Sequence, residues 1–357
     1  MRLPGTVSAE AVAAAAEADN RVHRWPLTPR ITRWLRTRGA KDRLAGFEAD
    51  RAVLGVASER DPRGDLVLIA SWPGNLAVTG LSADDRPIAR SDRDIPATAG
   101  YSGRQEGSDC AARPSEWVLW VHGGGFCWGS ARDGTGLRLA AGLSVPVVSV
   151  EYPLAPEAPF PAALDACLEA YRAGVRERGE RVLLGGVSAG ANLALGVLQR
   201  IRAMRAAGEE IPLPLGMVAL TPFGDLAGEG DSYRVNDGRD VYLRWRGQQE
   251  RFARAYAGGA DLRDPLVSPV HADWSGEALP PALFTTGTRD LFLSDTARIH
   301  TAWGAAGGEA DLVLAEGMWH SYLSDARLPE SDALLARLLD WCEGVLSRQA
   351  KGRRVSP

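Results

Sequence analysis

Arg181-Val-Leu-Leu-Gly-Gly-Val-Ser188-Ala-Gly-Ala-Asn-Leu-Ala-Leu195 is an apolar stretch that enters Gly186-Val-Ser-Ala-Gly190 and leaves it as a helix-like segment. Strand, G-x-S-x-G and helix in that order describe a sharp turn that exposes a serine hydroxyl. The flanking glycines permit such a turn, because the central residue is held in strained backbone geometry while strand and helix approach closely. The pentapeptide by itself is a modest signal, so the rest of the chain has to supply what a serine nucleophile needs.

Upstream, Glu116-Trp-Val-Leu-Trp-Val121 reads as a buried strand that empties into His122-Gly-Gly-Gly-Phe126. Successive glycines contribute no packing but leave backbone N–H groups free to point at a ligand, as the oxyanion of a tetrahedral intermediate requires. A phosphate-cradling loop is the competing reading. It is disfavoured because no Gly-Lys-Ser/Thr follows and no Gly-x-x-Gly spacing opens a helix here.

A serine needs a base, and the chain has five histidines. His23 sits in an N-terminal arm, His122 in the glycine loop, His271 after a Ser-Pro turn and His300 on a helix predicted over 294–303. His320 remains, in the loop after the alternating run Ala310-Asp-Leu-Val-Leu-Ala315, where catalytic groups of α/β sheets belong. The carboxylate that orients the imidazole is expected at Asp290, directly after the apolar run Pro281-Ala-Leu-Phe-Thr-Thr-Gly-Thr288. Asp295 competes, although its place after Ser294 suits capping of a helix N-terminus. Ser188, Asp290 and His320 then stand in the chain order of α/β-hydrolases.

From residue 116 the pattern alternates strand and helix, as in a doubly wound, mostly parallel sheet. Strands are predicted at 116–121, 146–152, 181–187, 215–221, 282–288 and 311–315, and helices at 161–176, 189–206, 294–305 and 331–347. Right-handed crossovers would put the strand ends bearing Gly124, Ser188, Asp290 and His320 on one edge.

With these motifs in hand, the chain resembles the hormone-sensitive-lipase-like, or bacterial family IV, esterases of the α/β-hydrolase superfamily. His122-Gly-Gly-Gly-Phe126 is similar to the family's oxyanion loop, and Glu151-Tyr-Pro-Leu-Ala-Pro-Glu157 with Pro159-Phe-Pro-Ala-Ala-Leu-Asp165 to a second signature. Asp264-Pro-Leu-Val-Ser-Pro269 and Gly317-Met-Trp-His320 add two more. The resemblance covers residue 116 to the end. It implies Ser188 as nucleophile, His320 as base and then acid, Asp290 as orienting acid, oxyanion donors at the amides of Gly124, Gly125 and Ala189, and a structural His122. It also implies a serine carboxylester hydrolase acting on a small ester without metal or cofactor. One departure is Val187, where the family usually has a polar residue that supports the elbow.

Residues 1–60 are expected to form N-terminal cap helices, 61–223 and 265–357 the catalytic core, and 224–264 an inserted cap. Ser8-Ala-Glu-Ala-Val-Ala-Ala-Ala-Ala-Glu-Ala reads as a helix capped near Thr6 or Ser8, because Glu10 and Glu17 interrupt any secretory leader. A cytoplasmic location follows. Strands at 65–72 and 75–81 with Pro73-Gly74 between them would make a first hairpin, and 83–115 a long surface loop. The insertion carries Tyr233, Tyr242, Trp245, Phe252 and Tyr256, helix-like from Val241 onward. Most should be cap core, with one or two facing the pocket. Phe126, Trp128 and Trp319, beside the motifs, are expected pocket walls, and bulky indoles there suit short acyl chains or a compact ring ester.

With 357 residues, 45% of them hydrophobic, the chain can bury one large core plus a lid. A net charge of −4 gives no electrostatic reason to bind nucleic acid or an anionic membrane. Four cysteines (Cys110, Cys127, Cys167, Cys342) without C-x-x-C spacing argue against zinc, redox and disulfide frameworks. The expected partners are a small ester and, in a homodimer, a second copy of the chain. Lactone hydrolysis, amide hydrolysis and transacylation use the same motifs. A ligand-binding receptor on this fold would lose the base, and a purely structural protein would not need Gly123 to Gly125.

Overall fold

The computed structural model describes residues 7–17, 40–54, 56–70, 116–143 and 145–351. Among them eight strands form one sheet: β1 Val56–Arg60, β2 Leu66–Ala70, β3 Glu116–Val121, β4 Val147–Val150, β5 Arg181–Val187, β6 Gly216–Leu220, β7 Ala282–Gly287 and β8 Ala310–Ala315. Their order is β1-β2-β4-β3-β5-β6-β7-β8. β1 and β2 pair antiparallel, β2 meets β4 antiparallel, and all pairs from β4 to β8 are parallel.

Parallel strands covered on both faces read as unbroken apolar runs, and β3 is buried at every position. Side chains alternate between faces. Trp117, Leu119 and Val121 of β3 join Val182 and Leu184 of β5 in one core, whereas Val118 and Trp120 join Leu183 and Val187 in the other. The first core is covered by helices over Ala162–Arg178 (α4), Ala189–Ala206 (α5) and Leu293–Ala305 (α8). The second is covered by Gly134–Gly142 (α3) and Pro329–Lys351 (α9). All six strands and all four helices expected after residue 116 are present, with ends displaced by a few residues.

The topology also fixes where a site can lie. The chain leaves β3 toward β4 on one side, and leaves β5 toward β6 on the other. Beyond the carboxyl ends of β3 and β5 the sheet therefore opens a crevice, the usual ligand position in such sheets.

The first hairpin differs from expectation. The strand expected over 65–72 is β2, but its partner is the preceding β1, within the segment assigned to cap helices, and the turn is Asp61 to Gly64. Asp61 Oδ1 accepts from the amides of Arg63 at 2.9 Å and Asp65 at 3.1 Å, and Gly64 takes φ +91. β1 escapes sequence reading because only Val56 is buried, the rest being the solvated edge of the sheet. The expected turn at 73–74, the strand at 75–81 and the loop at 83–115 lie outside the described residues.

Helix α1 (Ala9–Glu17) begins as expected. Ser8 Oγ accepts from Ala11 N at 3.1 Å, and the Ser8 amide and hydroxyl donate to the Glu330 carboxylate at 2.7 and 2.8 Å. Helix α2 covers Ala40–Val53. Between β6 and β7 lie α6 (Ser232–Val235), a kinked turn over Trp245–Gln249 and α7 (Glu250–Ala257), which Gly258 closes at φ +65. Helix here starts only at Glu250 rather than near Val241, because Asp240 Oδ1 takes the amides of Tyr242 and Leu243 at 2.9 and 3.0 Å. No helix among the described residues is long and apolar enough to cross a membrane.

Candidate active site

Ser188 is the first residue past β5, with φ 59 and ψ −121. A non-glycine residue in this region stores strain that the surroundings must hold. Two neighbours make that possible. A Cβ on Gly186 would stand 2.5 Å from the Gly190 carbonyl oxygen, and one on Gly190 would stand 2.0 Å from Val121 O. The Ser188 amide donates to Leu220 O at 2.8 Å, and its carbonyl accepts from Asn192 and Phe223. Val187 is buried among apolar neighbours, so packing supports the elbow at this position.

The glycine loop folds back over this turn. Gly124 (φ +117) and Gly125 (φ +57) both need the absence of a Cβ, which would stand 2.4 Å from Trp128 O and 2.6 Å from the Phe252 ring. The amides of Gly124, Gly125 and Ala189 find no acceptor among the described residues. His122 braces the loop: its Nδ1 donates to Gly123 O at 2.7 Å, its ring stacks on Tyr152 at 4.1 Å, and the Tyr152 hydroxyl donates to His122 O at 2.9 Å. Burial pushes the His122 imidazole down to about 4, so it is neutral near pH 7.

The loops after β7 and β8 bring two further groups to Ser188. Ser188 Oγ lies 2.8 Å from His320 Nε2, and His320 Nδ1 lies 3.1 Å from Asp290 Oδ1. With the proton on Nδ1, the imidazole donates to Asp290 and accepts from the serine. Asp290 is fully buried and also accepts from Phe292 N at 2.8 Å and Thr286 Oγ1 at 3.0 Å. The Phe292 ring meets the imidazole edge to face at 4.9 Å. Backbone contacts lace the two loops together: Arg289 N donates to Met318 O at 2.9 Å and Gly317 N to Thr288 Oγ1 at 2.8 Å.

Asp295 does not reach His320. Its Oδ2 accepts from the amides of Gly224 and Asp225 and from the Tyr233 hydroxyl, and burial holds its carboxyl well above the usual range. The cap position of α8 is Phe292, so Asp295 ties down the segment after β6 instead of capping its own helix.

A carboxylate that sequence reading missed stands behind the pair. Asp240 is fully buried, and its Oδ2 accepts from Leu291 N at 2.9 Å and His320 N at 3.1 Å. Burial, and then the Asp290 charge, push its carboxyl up to about 6. Asn236, also missed, donates to Asp290 O at 2.8 Å and Thr288 O at 3.2 Å. Lone polar residues in an insertion carry no motif.

Ser188 and His320 open onto a cavity of about 510 Å³, walled by Gly124, Gly125, Trp128 and, from the insertion, Tyr242, Gln249 and Phe252. Of the expected walls, Trp128 holds its place, whereas Phe126 and Trp319 do not line the cavity. Phe126 has φ 62, which turns its ring inward onto Tyr256 at 3.8 Å, and Trp319 is buried in the second core. Cys127, Cys167 and Cys342 are free and buried. Among the described residues Asp225, Glu229 and His271 bring donor atoms within 4.8 Å, but the Asp225 carboxylate already serves three amides and Arg298.

A serine, an imidazole and a buried carboxylate at the carboxyl edge of a parallel sheet, with a glycine loop whose amides find no acceptor among the described residues, define the α/β-hydrolase class. The profile of the family described as alpha/beta hydrolase fold matches residues 118–324. The chain is 38% identical over 195 residues to an acetyl-hydrolase of Streptomyces hygroscopicus, covering 53% of this chain and 62% of that protein. It is 30% identical over 249 residues to an esterase of Acinetobacter venetianus, covering 68% and 79%. The crystal structure of the esterase E25 superposes with TM-score 0.75 at 27% identity over 97% and 96% of the two chains. A hormone-sensitive lipase from a metagenome library superposes with TM-score 0.65 at 26% identity over 84% and 91%. The chain belongs to the α/β-hydrolase fold family and, within it, to the hormone-sensitive-lipase-like esterases.

Proposed function

We propose that the chain is a serine carboxylester hydrolase that works through an acyl-enzyme. Ser188 Oγ attacks the ester carbonyl while His320 Nε2 takes its proton. Asp290 holds the imidazole in the productive tautomer and stabilises the imidazolium. The amides of Gly124, Gly125 and Ala189 receive the developing oxyanion. His320 then protonates the leaving alcohol, activates water, and returns the serine. The observation that carries this reading is the continuous contact from Asp290 through His320 to Ser188, at 3.1 and 2.8 Å, beside a glycine loop whose amides have no acceptor among the described residues.

Trp128, Tyr242 and Phe252 restrict the cavity, which favours short acyl chains or compact esters. Residues 224–264 would act as cap over a core of 61–223 and 265–357, joined by the helices within 1–60. The buried free thiols fit a reducing, cytoplasmic setting. A homodimer is part of the proposal, since β8 is an edge strand with Leu312 and Leu314 exposed.

A p-nitrophenyl ester panel, run beside lactones and amides, tests the reaction. Short esters should turn over in the wild type, and Ser188→Ala should lose about six orders of magnitude in kcat. Asp290→Asn should lose about 10⁴. A larger loss in Asp295→Asn than in Asp290→Asn would overturn the acid assignment.

A further inference from the structure

We propose that Asp240 is a positioning residue, whose one carboxylate oxygen fixes the relative placement of Asp290 and His320 and links both to the wall of the cavity. The inference rests on the serine hydrolase reading above. Oδ2 of Asp240 receives two amides from two different loops: Leu291 N, next to the acid, and His320 N, the base itself, at 2.9 and 3.1 Å. One oxygen shared in this way sets the distance between the loops.

The other oxygen fixes the carboxylate. Oδ1 accepts from Tyr242 N and Leu243 N, so the side chain is held by four neutral donors with no hydrogen bond to spare. The charged groups acting on it most strongly are Asp290 and His320. Tyr242 and Leu243 line the cavity, so the same turn that presents substrate-facing side chains also holds the imidazole loop. Asn236, four residues earlier, clamps the acid loop through Asp290 O and Thr288 O. The insertion is thereby a brace on the reacting pair as well as a cover. An asparagine at 240 keeps the volume but must turn an N–H₂ toward amide donors that need an acceptor.

The test is steady-state kinetics of the full chain on a p-nitrophenyl ester, with sites counted by a fluorophosphonate. Asp240→Asn should lower kcat per counted site by about ten- to a hundredfold, while KM stays within about twofold. Phosphonylation of Ser188 should slow in step. Asn236→Ala, which leaves the Asp240 carboxylate in place, should move kcat the same way by less and serves if Asp240→Asn does not fold. A wild-type kcat per counted site in the variants that fold, or a raised KM at unchanged kcat, overturns the proposal. Ser188→Ala run in parallel separates the two claims: turnover surviving there would defeat the serine reading itself, whatever Asp240→Asn does.

Discussion

Ser188 illustrates how much can hang on atoms that are missing from its neighbours. The Cβ that an alanine would add at 190 lies 2.0 Å from Val121 O, a backbone atom of the strand beside the elbow. Gly190→Ala should therefore destabilise the fold by about 3 kcal/mol or more, read as a lowered denaturation midpoint, and reduce kcat as the elbow shifts. His122 makes a prediction in pH. Its imidazole is held near 4 by burial, below its ordinary 6.5, so between those values the unfolded chain binds more protons than the folded one. Stability should fall as pH drops from about 6.5 to about 4, and His122→Asn should flatten that slope in denaturation curves over the same interval. Ser188, Asp290 and His320, which the fold brings into contact, were legible because each follows an apolar strand-like run. Asp240 was not, because its importance lies in which amides it meets after folding, and nothing in Arg239-Asp-Val-Tyr242 announces them.

Among the elements, the central strands were legible because both their faces are buried and their sequences are apolar throughout. β1 was not, since a solvated edge strand reads as polar chain. The ends of β3 and β5 are further secured by a charge pair. Glu116 Oε1 accepts from Arg181 Nη2 at 2.6 Å and Nε at 3.0 Å, and Arg181 Nη2 also donates to Leu346 O in α9 at 3.0 Å. With Glu116 nearly buried, its removal leaves a guanidinium partly desolvated and unpaired. Glu116→Ala should cost about 3 kcal/mol, and Glu116→Gln distinctly less, both measurable by chemical denaturation without change in KM. In the insertion, the aromatic residues divide by direction. Tyr233, Trp245 and Tyr256 pack into the core, while Tyr242 and Phe252 line the cavity. Sequence composition anticipated the division but could not assign it, since Phe252 and Tyr256 lie on α7, Tyr233 on α6, Trp245 at the kinked turn and Tyr242 in the loop before it.

For the molecule as a whole, the cavity is walled by elements far apart in sequence, and Phe252 is where two of them meet. Its ring lies edge-on to Trp128 at 6.0 Å and occupies the space that a side chain at 125 would need. Phe252→Ala should widen the cavity and raise kcat/KM for octanoyl relative to acetyl esters by about tenfold, seen in a chain-length series. The doubly wound sheet and the shared edge of its strand ends were readable in advance from residue 116 onward, whereas the strand order that opens the crevice was not. What escaped was the inward turn of Phe126, which goes with its φ of 62, and the burial of Trp319 in the second core.

One contact at the end of β7 has a mechanical consequence. A Cβ on Gly287 would stand 2.1 Å from Met318 O, so the loops bearing aspartate and imidazole touch main chain to main chain. The two loops are braced against each other, whereas the serine stands two strands away, between β5 and α5. The contact between hydroxyl and ring, which bridges the β5 turn and the loop after β8, is thus the one of the two with fewer braces between its loops.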